Sequence, residues 1–251
     1  MREASYKLTV PRVGEHVRRG DLLRRLDEAQ RHTALTWVVG LPASGKTSLV
    51  ARWIEDRTAI WYRLDENDAD VAPFFDAVAQ QADVPLPTWS PENDIADFAR
   101  RFFGELARTG HSLVLDDCHR IPDDAPLFAM LALLHESFGH AVLVSRRAPP
   151  PVLARGRVGG WLSVLDDLRL SADEARAVVE AVRGASMSAN EAESLATADG
   201  WLAQVLTVAR RSESSVRLAH ANEVGEYLAA ELLAALPKAQ RPGFRRLAEL
   251  P

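Results

Sequence analysis

Gly40-Leu-Pro-Ala-Ser-Gly45-Lys46-Thr47 fits the pattern G-x-x-x-x-G-K-[ST] at every fixed position. Residues of these types at this spacing bind phosphate. The glycines let successive backbone N–H groups turn inward, and Pro42, Ala43 and Ser44 fill the turn between them, ahead of a helix N-terminus that favours negative charge. Lys46 would reach the β- and γ-phosphates of a nucleotide, the Thr47 hydroxyl would hold Mg2+, and Ser48 lies just behind them. The motif also sits where the mechanism needs it, directly after the apolar run Leu35–Val39 and before a helical pattern over 46–54.

Leu113-Val-Leu-Asp116-Asp117 is an apolar run ending in two carboxylates, about seventy residues downstream. Asp116 at a strand end would serve Mg2+, and Asp117 would orient or deprotonate an attacking water. Asp also ends strands simply as a turn starter. If the strand continued through both residues, their side chains would point to opposite faces and at most one would reach the metal. After the next apolar run come Ser145, Arg146 and Arg147; an arginine here would sense a γ-phosphate, or the pair would be a solvated loop. His119, close to the carboxylates, reads equally well as part of the site or as a surface histidine. The remaining histidines show no metal-ligand spacing.

These residues need a scaffold. Leu35–Val39, 59–64, 113–115, 141–144 and, more weakly, Leu162–Leu165 are short apolar runs separated by helical patterns. Near-continuous apolar strands alternating with helices indicate an α/β fold, a parallel sheet covered on both faces. The proline-rich stretch 84–93 reads as a surface loop rather than a linker. From Ser171, which opens a capping box with Glu174, only helical periodicity follows, over 172–182, 189–196, 202–210 and 224–236, with Gly184 and Asp199-Gly200 as breaks. An α/β domain over 1–168 is therefore expected to precede an all-helical one over 169–222.

Composition narrows the partners. Thirty Lys plus Arg against 35 Asp plus Glu leave a net charge of −5 over 251 residues, which disfavours a strongly basic nucleic-acid binder. The arginine pairs are scattered rather than striped, and no basic stripe accompanies the six tryptophans as a base-stacking platform would require. Cys118 is the sole cysteine, so no disulfide forms within the chain. No apolar run approaches the ~20 residues of a membrane span, and the first residues lack the apolar core of a secretory signal. No membrane partner and a cytoplasmic location are the expectations.

Taken together, these segments resemble the signal-transducing NTPases with numerous domains, and within them the MalT-like, ATP-dependent LuxR-type transcriptional regulators. Besides the phosphate loop, the resemblance rests on Lys7-Leu-Thr-Val-Pro11 with 17–19 and 22–26, on Trp61-Tyr-Arg-Leu-Asp65-Glu66-Asn-Asp68, on Asp116-Asp117-Cys-His119, on Ser145-Arg146 with Pro149, and on Leu168-Arg-Leu with Glu174-Ala175 and Gly200-Trp201. It implies a P-loop NTPase sheet, ATP or ADP with Mg2+ as ligands, and Val17 and Arg19 in a leading segment that lies against the adenine. It also implies Asp117 and Arg146 as the hydrolytic residues, with Arg146 preferred to Arg147. Leu202 stands where some relatives carry a proline that closes the nucleotide pocket. Residues 223–251 resemble the start of a winged-helix module, where the sequence stops; a fragment of a longer regulator is the preferred reading.

The function expected on this basis is an ATP/ADP switch with slow hydrolysis. ADP would hold a resting monomer, and ATP with an unidentified inducer would permit self-association. DNA would be met only through domains outside this sequence. Two alternatives stand beside it: a phosphate-loop kinase acting on a small acceptor, and an interaction module in which nucleotide is structural and turnover negligible.

Overall fold

Five apolar runs form five parallel strands, the first four buried along most of their length and the last, Leu162–Leu165, at its two ends. The computed structural model describes residues 6–13, 19–88, 94–137, 139–187, 195 and 200–211. Val17, the expected helical stretch over 224–236 and the winged-helix-like segment 223–251 lie outside the described residues, as does most of 189–196. The chain divides into two units. The first holds Met1–Gly14, Arg19–Gly40 and Lys46–Leu168; the second holds Glu15–Arg18, Leu41–Gly45 and Arg169–Pro251.

In the first unit, α1 (Gly20–His32) leads into β1 (Leu35–Val39), and α2 (Lys46–Trp53) into β2 (Ala59–Arg63). A 3-10 turn at Glu66–Ala69, α3 (Ala72–Ala82) and α4 (Ile95–Arg108) precede β3 (Ser112–Asp116). Two further 3-10 turns flank α5 (Pro126–Leu131); β4 (Ala141–Ser145), α6 (Pro151–Val158) and β5 (Leu162–Leu165) complete the unit. The strand order is β2-β3-β4-β1-β5. The chain leaves β1, the fourth strand across the sheet, starts again at the β2 edge, walks back through β3 and β4, and finally adds β5 on the far side of β1. A crevice at the carboxyl ends of strands belongs where the strand order reverses, beside β1. The carboxyl ends of β1, β4 and β3, neighbours in the sheet, thus carry Gly40, Ser145-Arg146 and Asp116-Asp117 to one edge.

Period-two alternation divides the core. Trp37, Tyr62, Leu115 and Leu143 face one layer, built around the phenylalanines of α3 and α4. Phe75 sits at the centre of that layer, with Phe74, Phe98 and Phe102 packed edge-to-face at 4.8–5.1 Å, a geometry that adds to area burial. Val38, Trp61, Val114, Val142 and Val144 face the other layer, closed by Leu22 and Leu26 of α1 and by Leu49, Val50 and Trp53 of α2.

A polar cluster joins the leading segment to the turn after β2. Lys7 Nζ lies 2.8 Å from Asp68 Oδ2 and 3.0 Å from Asp65 Oδ2. The Tyr62 hydroxyl donates to Asp68 Oδ1 at 2.8 Å, the Asp65 N–H to Asp68 Oδ2 at 2.7 Å, and the Tyr6 hydroxyl to Asp65 Oδ2 at 2.6 Å. Asp68 is fully buried, so its charge depends on these partners. Removing one side of a buried ion pair strands the other. Asp68→Ala should lower the unfolding free energy by about 3 kcal/mol, with the urea midpoint falling at unchanged m. A change below about 1 kcal/mol would show that the cluster is not a stabilising clip.

In the second unit, Ser171 and Glu174 form the capping box of α7 (Ala172–Arg183), and Gly184 ends that helix in the left-handed conformation. Leu170, Val178 and Val179 pack with Val205 and Ala209 of α8 (Leu202–Arg211). Gly200 adopts φ +67° and its carbonyl accepts the Leu170 N–H at 2.7 Å. A Cβ there would meet the Leu170 carbonyl oxygen at 2.4 Å, so both conformation and space demand glycine. Among the described residues, no helix is long and apolar enough to cross a membrane.

Candidate nucleotide site

The central residues of the phosphate loop, Leu41–Gly45, group with the second unit. Ala43 at φ 55° and Gly45 at φ 85° place two left-handed residues within three positions, and the Ser44 N–H donates to the Leu41 carbonyl at 3.2 Å. Alternation of this kind makes the concave row of N–H groups that receives an anion. Holding an alanine in the left-handed region costs about 1 kcal/mol, a strain characteristic of ligand-binding loops. In the same unit the Trp201 indole N–H donates to the Pro42 carbonyl at 3.1 Å.

In the first unit, Lys46, at the start of α2, is buried and donates to the Gly40 carbonyl at 2.8 Å. Burial, and then the nearby Arg146 guanidinium, bring its ammonium down to about 8. An arriving polyphosphate adds negative charge beside that ammonium and favours its protonated form.

The Thr47 hydroxyl donates to Asp116 Oδ1 at 3.1 Å. This contact follows from parity. Asp116 shares the face of Val114, which α2 covers, so the first turn of α2 and the end of β3 meet. The pair supplies two hard oxygen donors side by side that could hold Mg2+, which takes one or two protein ligands and fills the rest with phosphate and water. Burial and the adjacent Asp117 raise the Asp116 carboxyl to about 6, against the Thr47 hydrogen bond and Arg63, which favour its ionised form. β3 ends at Asp116, and Asp117 turns into the left-handed region at φ 59°. The two carboxylates therefore do not alternate across a continuing strand; the turn frees Asp117 from β3's alternation.

His119 lies 15% exposed with Nδ1 4.0 Å from Asp117 Oδ1, and that nitrogen is buried with no hydrogen-bond partner. Burial, and then Arg146, lower its pKa to about 4, so the imidazole is neutral at physiological pH. Arg146 is thus close enough to act on both Lys46 and His119. Arg147 is occupied elsewhere: it donates to the carbonyls of His119 and Ile121 at 2.9 and 3.0 Å and pairs with Asp123 at 3.3 Å. One arginine braces the loop after β3 while its neighbour stands at the site, a division the sequence alone does not reveal.

Arg19, expected near the adenine, is buried, with Nη2 donating to the Leu168 carbonyl at 2.5 Å. The structure adds one residue not singled out from the sequence. Arg63, at the end of β2, pairs in register with Asp116 and sits 3.6 Å from its Oδ2 and 3.8 Å from Asp117 Oδ2. Only knowledge that β2 neighbours β3 would have pointed to it.

Residues 35–159, just under half of the chain, match the family model described as an AAA domain. The α/β unit has a P-loop NTPase-like fold. Two solved structures resemble this chain at TM-scores that carry the fold. One is a Signal Transduction ATPase with Numerous Domains (STAND) protein with a tetratricopeptide repeat sensor from Pyrococcus horikoshii, 17% identical, matching 88% of this chain and 33% of that one with a TM-score of 0.61. The other is a Walker-type ATPase of Pyrococcus abyssi, 14% identical, matching 94% of this chain and 78% of that one with a TM-score of 0.55. The chain thus spans about a third of the length of the first. Among curated proteins the sequence finds no match. At these identities the likeness speaks for the fold of the NTPase domain, and nucleotide binding follows from its phosphate loop.

Proposed function

We propose that this chain is an ATP/ADP switch with slow hydrolysis, the NTPase module of a signal-responsive transcriptional regulator. The observation that carries the switch is the Trp201 hydrogen bond to Pro42, because the centre of the phosphate loop belongs to the same unit as the helices after Leu168. A phosphate seated on that loop acts directly on the body that must respond, which is the differential contact a ligand-driven switch requires. The resemblance to MalT-like regulators supports the output in transcription, with self-association in the ATP state, an inducer read elsewhere, and DNA contact through other domains. The domain limits proposed with it are 1–168, 169–222 and 223 onward.

In this reading Gly40, Pro42, Ala43, Ser44, Gly45, Lys46, Thr47 and Ser48 hold the phosphates, while Val17 and Arg19 serve the base. Thr47 and Asp116 would hold Mg2+, which would supply positive charge to offset that of the phosphates. Asp117 orients the attacking water and takes its proton as the water oxygen bonds to the γ-phosphorus. The bond from that phosphorus to the bridging oxygen breaks, releasing ADP and inorganic phosphate. Arg146 offsets the charge that spreads over the γ-phosphoryl oxygens.

The test is to denature purified protein, identify the nucleotide released, and compare protease cleavage within 169–211 with ADP and with a slowly hydrolysed ATP analogue. Near-stoichiometric ADP and different cleavage in the two states are expected. A chain that is empty and binds neither nucleotide with Mg2+, or one cleaved identically in both states, would overturn the switch.

A further inference from the structure

β2 and β3 end side by side, with Arg63 opposite Asp116 in the parallel register. Register neighbours point to the same face of a sheet, so Arg63 emerges on the α2 side, beside the carboxylate that Thr47 touches. Its two nitrogens divide between the tandem acids: Nη2 is 3.6 Å from Asp116 Oδ2, and Nε is 3.8 Å from Asp117 Oδ2. Although the side chain is 37% exposed, Nε itself is shut off from water and has no hydrogen-bond partner. A buried N–H without an acceptor is costly, and the carboxylate it faces, just outside bonding distance, is Asp117.

We propose that Arg63 is a positioning residue for hydrolysis, its planar guanidinium spanning Asp116 and Asp117 and holding the Asp117 carboxylate in the orientation that takes the water's proton. The inference rests on the hydrolytic reading given above. Two adjacent carboxylates repel each other, and Asp117 lies in a turn rather than in the strand, so sheet hydrogen bonds do not hold its side chain. A guanidinium presents several N–H groups in a fixed fork and can engage two carboxylates at once. An ammonium in the same place would neutralise charge without spanning both. Misdirecting a general base slows the chemical step and leaves binding of the ground-state nucleotide unchanged.

The experiment uses the full chain and its Arg63→Gln and Arg63→Lys variants. Three quantities are read for each: phosphate release from pre-bound ATP in a single turnover, the affinity for a fluorescent ADP with and without Mg2+, and the melting temperature. Expected for Arg63→Gln is phosphate release slowed about 10- to 50-fold, with ADP affinity in the absence of Mg2+ within about twofold of the parent. Arg63→Lys should recover part of the rate. Release from the glutamine variant that keeps pace with a hydrolysing parent overturns the inference alone. So does a slowing matched by an equal loss of ADP affinity or by a fallen melting temperature, which marks a merely structural arginine. A parent that binds ATP and releases no phosphate brings down the hydrolytic reading itself.

Discussion

Lys46→Ala is expected to weaken ADP and ATP binding at least about 100-fold, equivalent to about 2.7 kcal/mol. The free protein should stay folded and become no less stable. Lys46 is buried, and burial together with the Arg146 guanidinium outweighs the pull of Asp116 and Asp117 on its charge. The ammonium is therefore costly to the empty NTPase domain and repays that cost when phosphate arrives. The same argument has a sign in pH. With its pKa brought down to about 8, Lys46 loses its proton well before an exposed lysine does, and a bound polyphosphate draws the proton back. Nucleotide binding near pH 8 should therefore take up protons, and affinity should fall as pH rises through about 8. Calorimetry in buffers of different ionisation enthalpy reads the proton uptake directly. In the alanine variant the uptake near pH 8 should vanish. A wild type that binds equally well at pH 7 and pH 9 would remove Lys46 from the site.

Asp116→Asn is expected to make the metal-free protein more stable at pH 7 while cutting Mg2+-dependent turnover by about 100-fold or more. In the folded chain Asp116 holds its proton up to about pH 6, against 3.8 for an ordinary aspartate, because it is buried beside Asp117. Between those two values the folded chain carries more protons than the unfolded one, so stability falls as pH rises through that window. Above about pH 6 the whole penalty applies, roughly 1–3 kcal/mol at 1.36 kcal/mol per pK unit. Asparagine carries no charge and keeps an oxygen that can accept from Thr47, so it escapes the penalty at pH 7 and gains nothing at pH 3. Urea melts of both proteins across pH 3–8 check this: the wild-type curve should decline from pH 4 to pH 6.5 relative to the variant. A variant no more stable than wild type at pH 7 would mean that Asp116 is not strained by its surroundings. The pattern is that of a site whose charge is tolerated for its function.

Much of this protein was legible before any coordinates. The phosphate loop is contiguous, and its chemistry depends on backbone freedom at fixed positions, so eight residues specify it. Four strands were legible because each is a short run buried on both faces, with the half-buried β5 the weakest, and the observed limits differ from the expected ones by about one residue, as at Arg63, where β2 ends one position early. The capping box at Ser171 and the left-handed stop at Gly184 were equally local. Local patterns stop there. Apolar periodicity does not encode the strand order β2-β3-β4-β1-β5, and without that order Arg63 is a charged residue at the end of a strand with no assigned neighbour.

Sequence alone thus determined the phosphate-binding chemistry, the α/β class and the presence of a carboxylate pair, because each depends on residues close together along the chain. Only the tertiary structure decided that Lys7 clips onto Asp68 across 61 positions and that Arg147 braces a loop while Arg146 stands near Lys46. It also decided that Asp117 leaves the strand, and that Arg63 spans both carboxylates. Those arrangements follow from which strands become neighbours and in what register. That choice is made by the packing of the whole sheet against its two helical layers, a global property that no short run of residues carries.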